Sequence, residues 1–242
     1  MIPRNAILAA AIASVALGGC VRTRTVTVAN PSTPGISAPV SPGGAVASAP
    51  TVQGTCPTGK LGPAFNREVT ASSLDPDLLD AAVLHYTNKR RCAQGLTPLA
   101  ADTQLSVVAR THSDDMATHG FMGHVSPVPE RAQLQDRYRG AAIPHTAGAE
   151  NVARRSRLMV ASGEPYFTVD RTRCHFSSVP NGPPIGMHTY RSLGEDLVEI
   201  WEGSPEHRVN LFSPRYTRLG SGIAIRDSET CGELFATQNF AA

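Results

Sequence analysis

Three short strings carry the side chains with the most chemistry to offer: "FMGHVSP" with His124, "AGAENVA" with Glu150 and "SPEHRVNLF" with His207. Two imidazoles and a carboxylate can bind Zn²⁺ or another divalent metal and leave one coordination position open; the same groups can accept hydrogen bonds. His207 has an informative place. Ser204 can cap a helix that Pro205 opens, so His207 falls in its first turn, where the positive helix end disfavours an imidazolium and keeps a lone pair available. Singly, each string also has a plain structural use, as a surface loop, a helix start or loop anchor, and a capping residue. His112, on an apolar helix face, reads as a core histidine, and His175 and His188 read as surface residues. Ser126 and Ser204 precede prolines or turns and suit backbone hydrogen bonding. Neither a His-Glu-x-x-His box nor a Gly-x-Ser-x-Gly elbow occurs, which disfavours hydrolysis.

The elements that must position these residues are legible from punctuation and period. Asp75 caps and Pro76 opens a helix whose Leu79, Ala82, Val83 and Tyr86 share a face, and Gly95 stops it. A second helix runs from Asp102 to about Thr118, with Leu105, Val108, Ala109, His112 and Met116 on one face and Gly120 after it. "GEDLVEIW" reads as a third helix, and a fourth begins at Ser204. "SGIAIRD" and "ELFATQNF" alternate around the turn-rich "DSETCG" and predict a β-hairpin. Helices followed by a late hairpin give an α+β domain.

In that order, "LLDAAVLHYTNKRRCAQGLTPL", "VVARTHSDDMATHGFMGHVSP", the Glu-Asn pair, "SPEHRVNLFSPRYTRLGSGIA" and "TQNF" resemble the bacterial branch of the CAP superfamily (cysteine-rich secretory, antigen 5 and pathogenesis-related proteins), over roughly Leu78 to Phe240. The resemblance implies an α-β-α sandwich with an antiparallel sheet between helical layers. It also implies a cleft lined by His124, Glu150 and His207, where some members bind a divalent metal. Two departures stand out. An extra alanine separates Gly148 from Glu150, and the position of the second family acid is Ser204, flanked by Glu202 and Glu206.

Ahead of the domain, residues 1–20 read as a signal peptide ending in "ALGGC", which resembles a lipobox with Cys20 as the lipidated residue. Residues 21–73, rich in Pro, Ser, Thr, Gly and Ala, read as a disordered tether, and residues 74–242 as the domain. Setting Cys20 aside leaves Cys56, Cys92, Cys174 and Cys231, which allow three pairings. Cys56–Cys92 with Cys174–Cys231 would tie the tether's end to the first helix and a long insertion at about 154–191 to the hairpin, but the sequence does not decide between them. That insertion, with "RRSR" and "RTRCHF", could cover the cleft or meet an anionic partner, or be a solvated loop. A net charge of +2 without a basic helix face excludes nucleic acid as a partner. The expected protein is an exported lipoprotein, in the outer membrane and periplasm or at the cell surface. It would act as a binding module for a lipid, glycan or envelope protein, with a metal-dependent or serine-type hydrolase and a structural envelope protein as alternatives.

Overall fold

Aspartates open the two long helices, as their sequences require. The computed structural model describes residues 54–160, 163–227 and 231–242. In it Asp75 accepts from the Leu78 N–H at 3.2 Å to start α1 (Pro76–Ala93), and Asp102 accepts from Gln104 and Leu105 at 2.9 and 3.1 Å to start α2 (Thr103–His119). Gly120, at φ +68°, closes α2 in the left-handed conformation that glycine adopts without strain. The third expected helix is longer than its apolar stretch. It spans Tyr190–Gly203, because Thr189 and Ser192 form a reciprocal capping pair one turn earlier; α3 (Leu134–Gly140), too short to show a period, lies before it, making this one α4. The helix after Ser204, α5 (Pro205–Leu211), starts where expected, but the Ser204 hydroxyl makes no capping bond.

Strands β5 (Arg218–Arg226) and β6 (Glu233–Ala241) pair antiparallel in the expected hairpin. Two partners extend it into a four-stranded sheet of order β1-β5-β6-β2. Strand β2 (Gly148–Ser156) joins β6 antiparallel, and the two-residue β1 (Ala100–Ala101) joins β5 parallel at the other edge. Helices α2 and α3 lie on one face and α1, α4 and α5 on the other, so the layering is the α-β-α one. The close seam is on the α2 side. A Cβ on Gly220 or Gly222 of β5 would stand 2.2 and 2.1 Å from the backbone nitrogens of Ser106 and Arg110, so only glycine lets α2 rest on the sheet. The opposite face holds the larger core, around the fully buried Trp201, whose indole N–H donates to the Val152 carbonyl of β2 at 3.1 Å.

The packed shell begins earlier than residue 74. Within the range expected to be tether, Val69 is buried in the main core and Leu61 and Phe65 pack against it. The Val69 N–H donates to the His188 carbonyl at 2.8 Å, Arg191 donates to the carbonyls of Leu61 and Gly62, and Cys56 is bridged to Cys92 of α1. Three apolar anchors and a crosslink lie within a stretch whose Gly, Thr, Pro, Ser and Ala residues read as tether. Residues 1–20, Cys20 and the tether up to residue 53 lie outside the described residues. Cys174 pairs with Cys231, pinning a small hairpin of β3 (Phe167–Asp170) and β4 (His175–Ser177) to the residues before β6. This hairpin is the body of the long insertion. His188, expected on the surface, is buried: it ends the insertion, and its ring Nδ1 meets Ser192 at 3.2 Å as α4 begins. Among the described residues, no helix is long and apolar enough to cross a membrane.

Candidate functional site

The Glu-Asn pair works because it sits on a strand, where successive side chains point to opposite faces. Glu150 is paired across from Asn239 in regular register and faces the α2–α3 layer, whereas Asn151 faces the α5 layer. The extra alanine before Glu150 is an ordinary strand residue, paired across from Phe240 in the same register. Asn151 donates to the His207 carbonyl at 3.3 Å and to Gln238 at 3.1 Å. Asn210 of α5 donates back to Asn151 at 2.8 Å and to the Glu150 carbonyl at 3.3 Å. One dipeptide thus holds the carboxylate on one side of β2 and the His207 helix on the other.

Glu150 is the hub. Its side chain is 2% exposed, and Nη2 of Arg137, itself 1% exposed, donates to both carboxylate oxygens at 2.8 and 2.7 Å. His124 Nδ1 lies 3.0 Å from Oε1; with its amide turned to match its neighbours, Asn239 donates to Oε2 at 3.2 Å. A carboxylate can only accept, so Nδ1 of His124 carries a proton; in the neutral ring the lone pair is then on Nε2. The His124 side chain is 53% exposed, beside a cleft of about 310 Å³ lined also by Gln133, Leu134, Gln135 and Asn210. Arg137, the first arginine of "DRYRG", was not expected from sequence; its only signal was an arginine on a short polar helix, which ordinarily means a solvated face.

The two other histidines of the region differ. His112 is fully buried on α2 as a core residue, and its Nε2 donates to the Gly123 carbonyl at 2.9 Å while lying 3.7 Å from Glu150. Burial pushes its pKa down against the pull of Glu150, so the ring is neutral, and its buried Nδ1 has no hydrogen-bond partner among the described residues. His207 stands with its ring centroid 6.5 Å from that of His124. Its pKa is also lowered, as the helix-start argument requires, but through burial first and the neighbouring His124 second, which together outweigh Glu206. Ser126 serves structure: its hydroxyl accepts from the Val128 N–H at 3.2 Å and donates to Asp115 at 2.8 Å. Burial tends to raise the Asp115 pKa, yet Arg131 and Ser126 hold it below the usual range.

A model of the CAP, or cysteine-rich secretory protein, family matches residues 84–240, which contain every element of this site. The chain belongs to the CAP family. The relatives carry it no further. The uncharacterized protein YkwD of Bacillus subtilis (strain 168) is 26% identical over 168 residues, covering 68% of this chain and 51% of its own. The uncharacterized membrane protein YlbC of the same organism is 27% identical over 158 residues, covering 65% and 33%. This CAP chain thus spans about half or less of those curated relatives' lengths. The crystal structure of an extracellular protein containing an SCP domain from Bacillus anthracis str. Ames is 23% identical, covering 69% of this chain and 41% of its own, with a TM-score of 0.47.

The residues present do not fit a three-ligand metal site. Both oxygens of Glu150 receive the Arg137 guanidinium, so the charge that would attract a cation is already compensated in a buried pair. Imidazoles sharing one zinc with bonds of about 2 Å bring their ring centres to roughly 5 Å in tetrahedral geometry, closer than the 6.5 Å between His124 and His207. Among the described residues no group of three or more His, Cys, Asp or Glu side chains converges on a cation position.

Proposed function

We propose that this CAP domain is an exported, lipid-anchored binding module of the cell envelope, recognising its ligand by hydrogen bonds in the cleft beside His124. The observation that carries this reading is the setting of His124: Nδ1 is committed to Glu150, and the half-exposed ring borders the cleft together with Gln133, Gln135 and Asn210. Hydrolysis would need an activated nucleophile. Among the described residues, no serine, threonine or cysteine side chain hydrogen-bonds the ring of His124 or His207, and Ser126 is committed to Asp115. Export is supported by the two disulfides, which belong to oxidising compartments, and anchoring by the "ALGGC" string ending at Cys20. The test is retention of separate envelope lipid and glycan fractions by the full chain and by His124→Ala and Asn210→Ala variants. About a tenfold loss in the variants is expected, the weight of one lost hydrogen bond of about 1.4 kcal/mol; equal retention by all three proteins would contradict the proposal.

A further inference from the structure

We infer that Arg137 is the positioning residue of the site, holding His124 in one tautomer through Glu150 and in one place through the backbone. Two sets of bonds from one guanidinium carry this. Nη2 reaches both oxygens of Glu150, the partner of His124 Nδ1. Nη1 reaches the carbonyls of Arg131, Ala132 and His124 at 3.2, 3.1 and 3.3 Å, and Nη2 also lies 3.3 Å from the His124 carbonyl. The loop from Phe121 to Gln133 has little regular hydrogen bonding of its own. It is tied to α2 by Arg131, whose Nε and Nη2 reach Asp115 at 2.8 and 2.5 Å, and to α3 by Arg137. A buried carboxylate stripped of its cation tends to neutralise, and a protonated Glu150 would offer His124 a donor in place of an acceptor. Arg137 therefore decides whether the ring nitrogen of His124 that faces away from Glu150 carries a proton, without touching the ligand.

The inference rests on His124 being the working side chain of the cleft, but its readout requires no ligand. The test is the ¹⁵N spectrum of the histidine rings in the full chain, with His112, whose Nε2 proton is fixed by Gly123, as internal reference. In the native chain His124 should show a protonated Nδ1. In Arg137→Gln it should become a mixture of tautomers while His112 stays unchanged. Arg137→Lys is the second variant: a single ammonium can replace Nη2 at Glu150 but not the Nη1 bonds. It should keep the Nδ1 proton on His124 while amides of residues 123–132 exchange about tenfold faster or more. An unchanged His124 signature in folded Arg137→Gln would overturn the inference. Should Arg137→Gln fail to fold, loss of the Nδ1 preference or unaltered loop exchange in Arg137→Lys would do so. Failure of the envelope-fraction test with these shifts intact would remove the proposed function and leave the role of Arg137 standing.

Discussion

Two acids packed against the central sheet meet opposite fates. Glu150, on β2 at one edge, is buried with a guanidinium on both oxygens. Asp80, on α1 at the seam with α2 and β5, accepts from the Ser106 hydroxyl at 2.6 Å and the Ser221 N–H at 2.7 Å, with no cation in direct contact among the described residues. Burial pushes the Asp80 carboxyl up to about 6, and its two hydrogen bonds and the more distant Arg110 only partly oppose that rise. Hydrogen bonds alone thus leave a buried acid uncomfortable at neutral pH, whereas a buried cation turns one into a fixed structural acceptor. The domain places the second arrangement at its cleft.

The largest expected effect comes from breaking the compensated pair. Arg137→Ala leaves Glu150 buried without its cation and should cost about 3–5 kcal/mol in urea unfolding; a loss below about 1 kcal/mol would mean the pair is solvated and the contrast with Asp80 is false. Asp80→Asn should act in the other direction. With a folded pKa of about 6 against an ordinary 3.8, the native state binds more protons than the unfolded chain between those values. Stability from this group therefore falls as pH rises from about 4 to 6 and stays at the lower level above. The amide variant should gain on the order of 1–3 kcal/mol at pH 7, the upper figure being the full shift at about 1.4 kcal/mol per pKa unit and the lower allowing for partial solvation. It should also flatten that slope, and a loss of stability at pH 7 would contradict the assignment. Ser106→Ala should cost about 1 kcal/mol at neutral pH by removing the stronger of the two bonds to Asp80, checked by the same unfolding series. The exposed pair Arg90–Glu199, at 3.0 Å, sets the floor: Glu199→Ala should change stability by less than about 0.5 kcal/mol.

What could be read from the chain followed the strength of local signals. Aspartate caps, Gly120 and the alternation of "ELFATQNF" mark elements by backbone chemistry that acts over a few residues, and those elements lie where expected. Strand β2 and helix α3 escaped notice. β2 carries Glu, Asn and two arginines whose partners come from α2, α3, α4, α5 and β6, and α3 is only seven residues long. The fold brings the side chains of the ordered His124, Glu150 and His207 strings near one another, but what each does depends on contacts made by tertiary folding. Arg137 comes 13 residues before Glu150, and nothing in "LQDRYRG" says which of its arginines turns inward. Composition misled at residues 54–73, where a stretch rich in Gly, Thr, Pro, Ser and Ala holds the buried Val69 and the Cys56–Cys92 bridge.

The central claim is that Glu150 serves Arg137 and His124 and leaves no seat for a cation. Calorimetric titration of Zn²⁺ into the full chain and into the His124→Ala/His207→Ala double variant tests it directly. The account predicts no saturable one-site binding that distinguishes the two proteins; a stoichiometric site in the native chain, lost in the double variant, would contradict it.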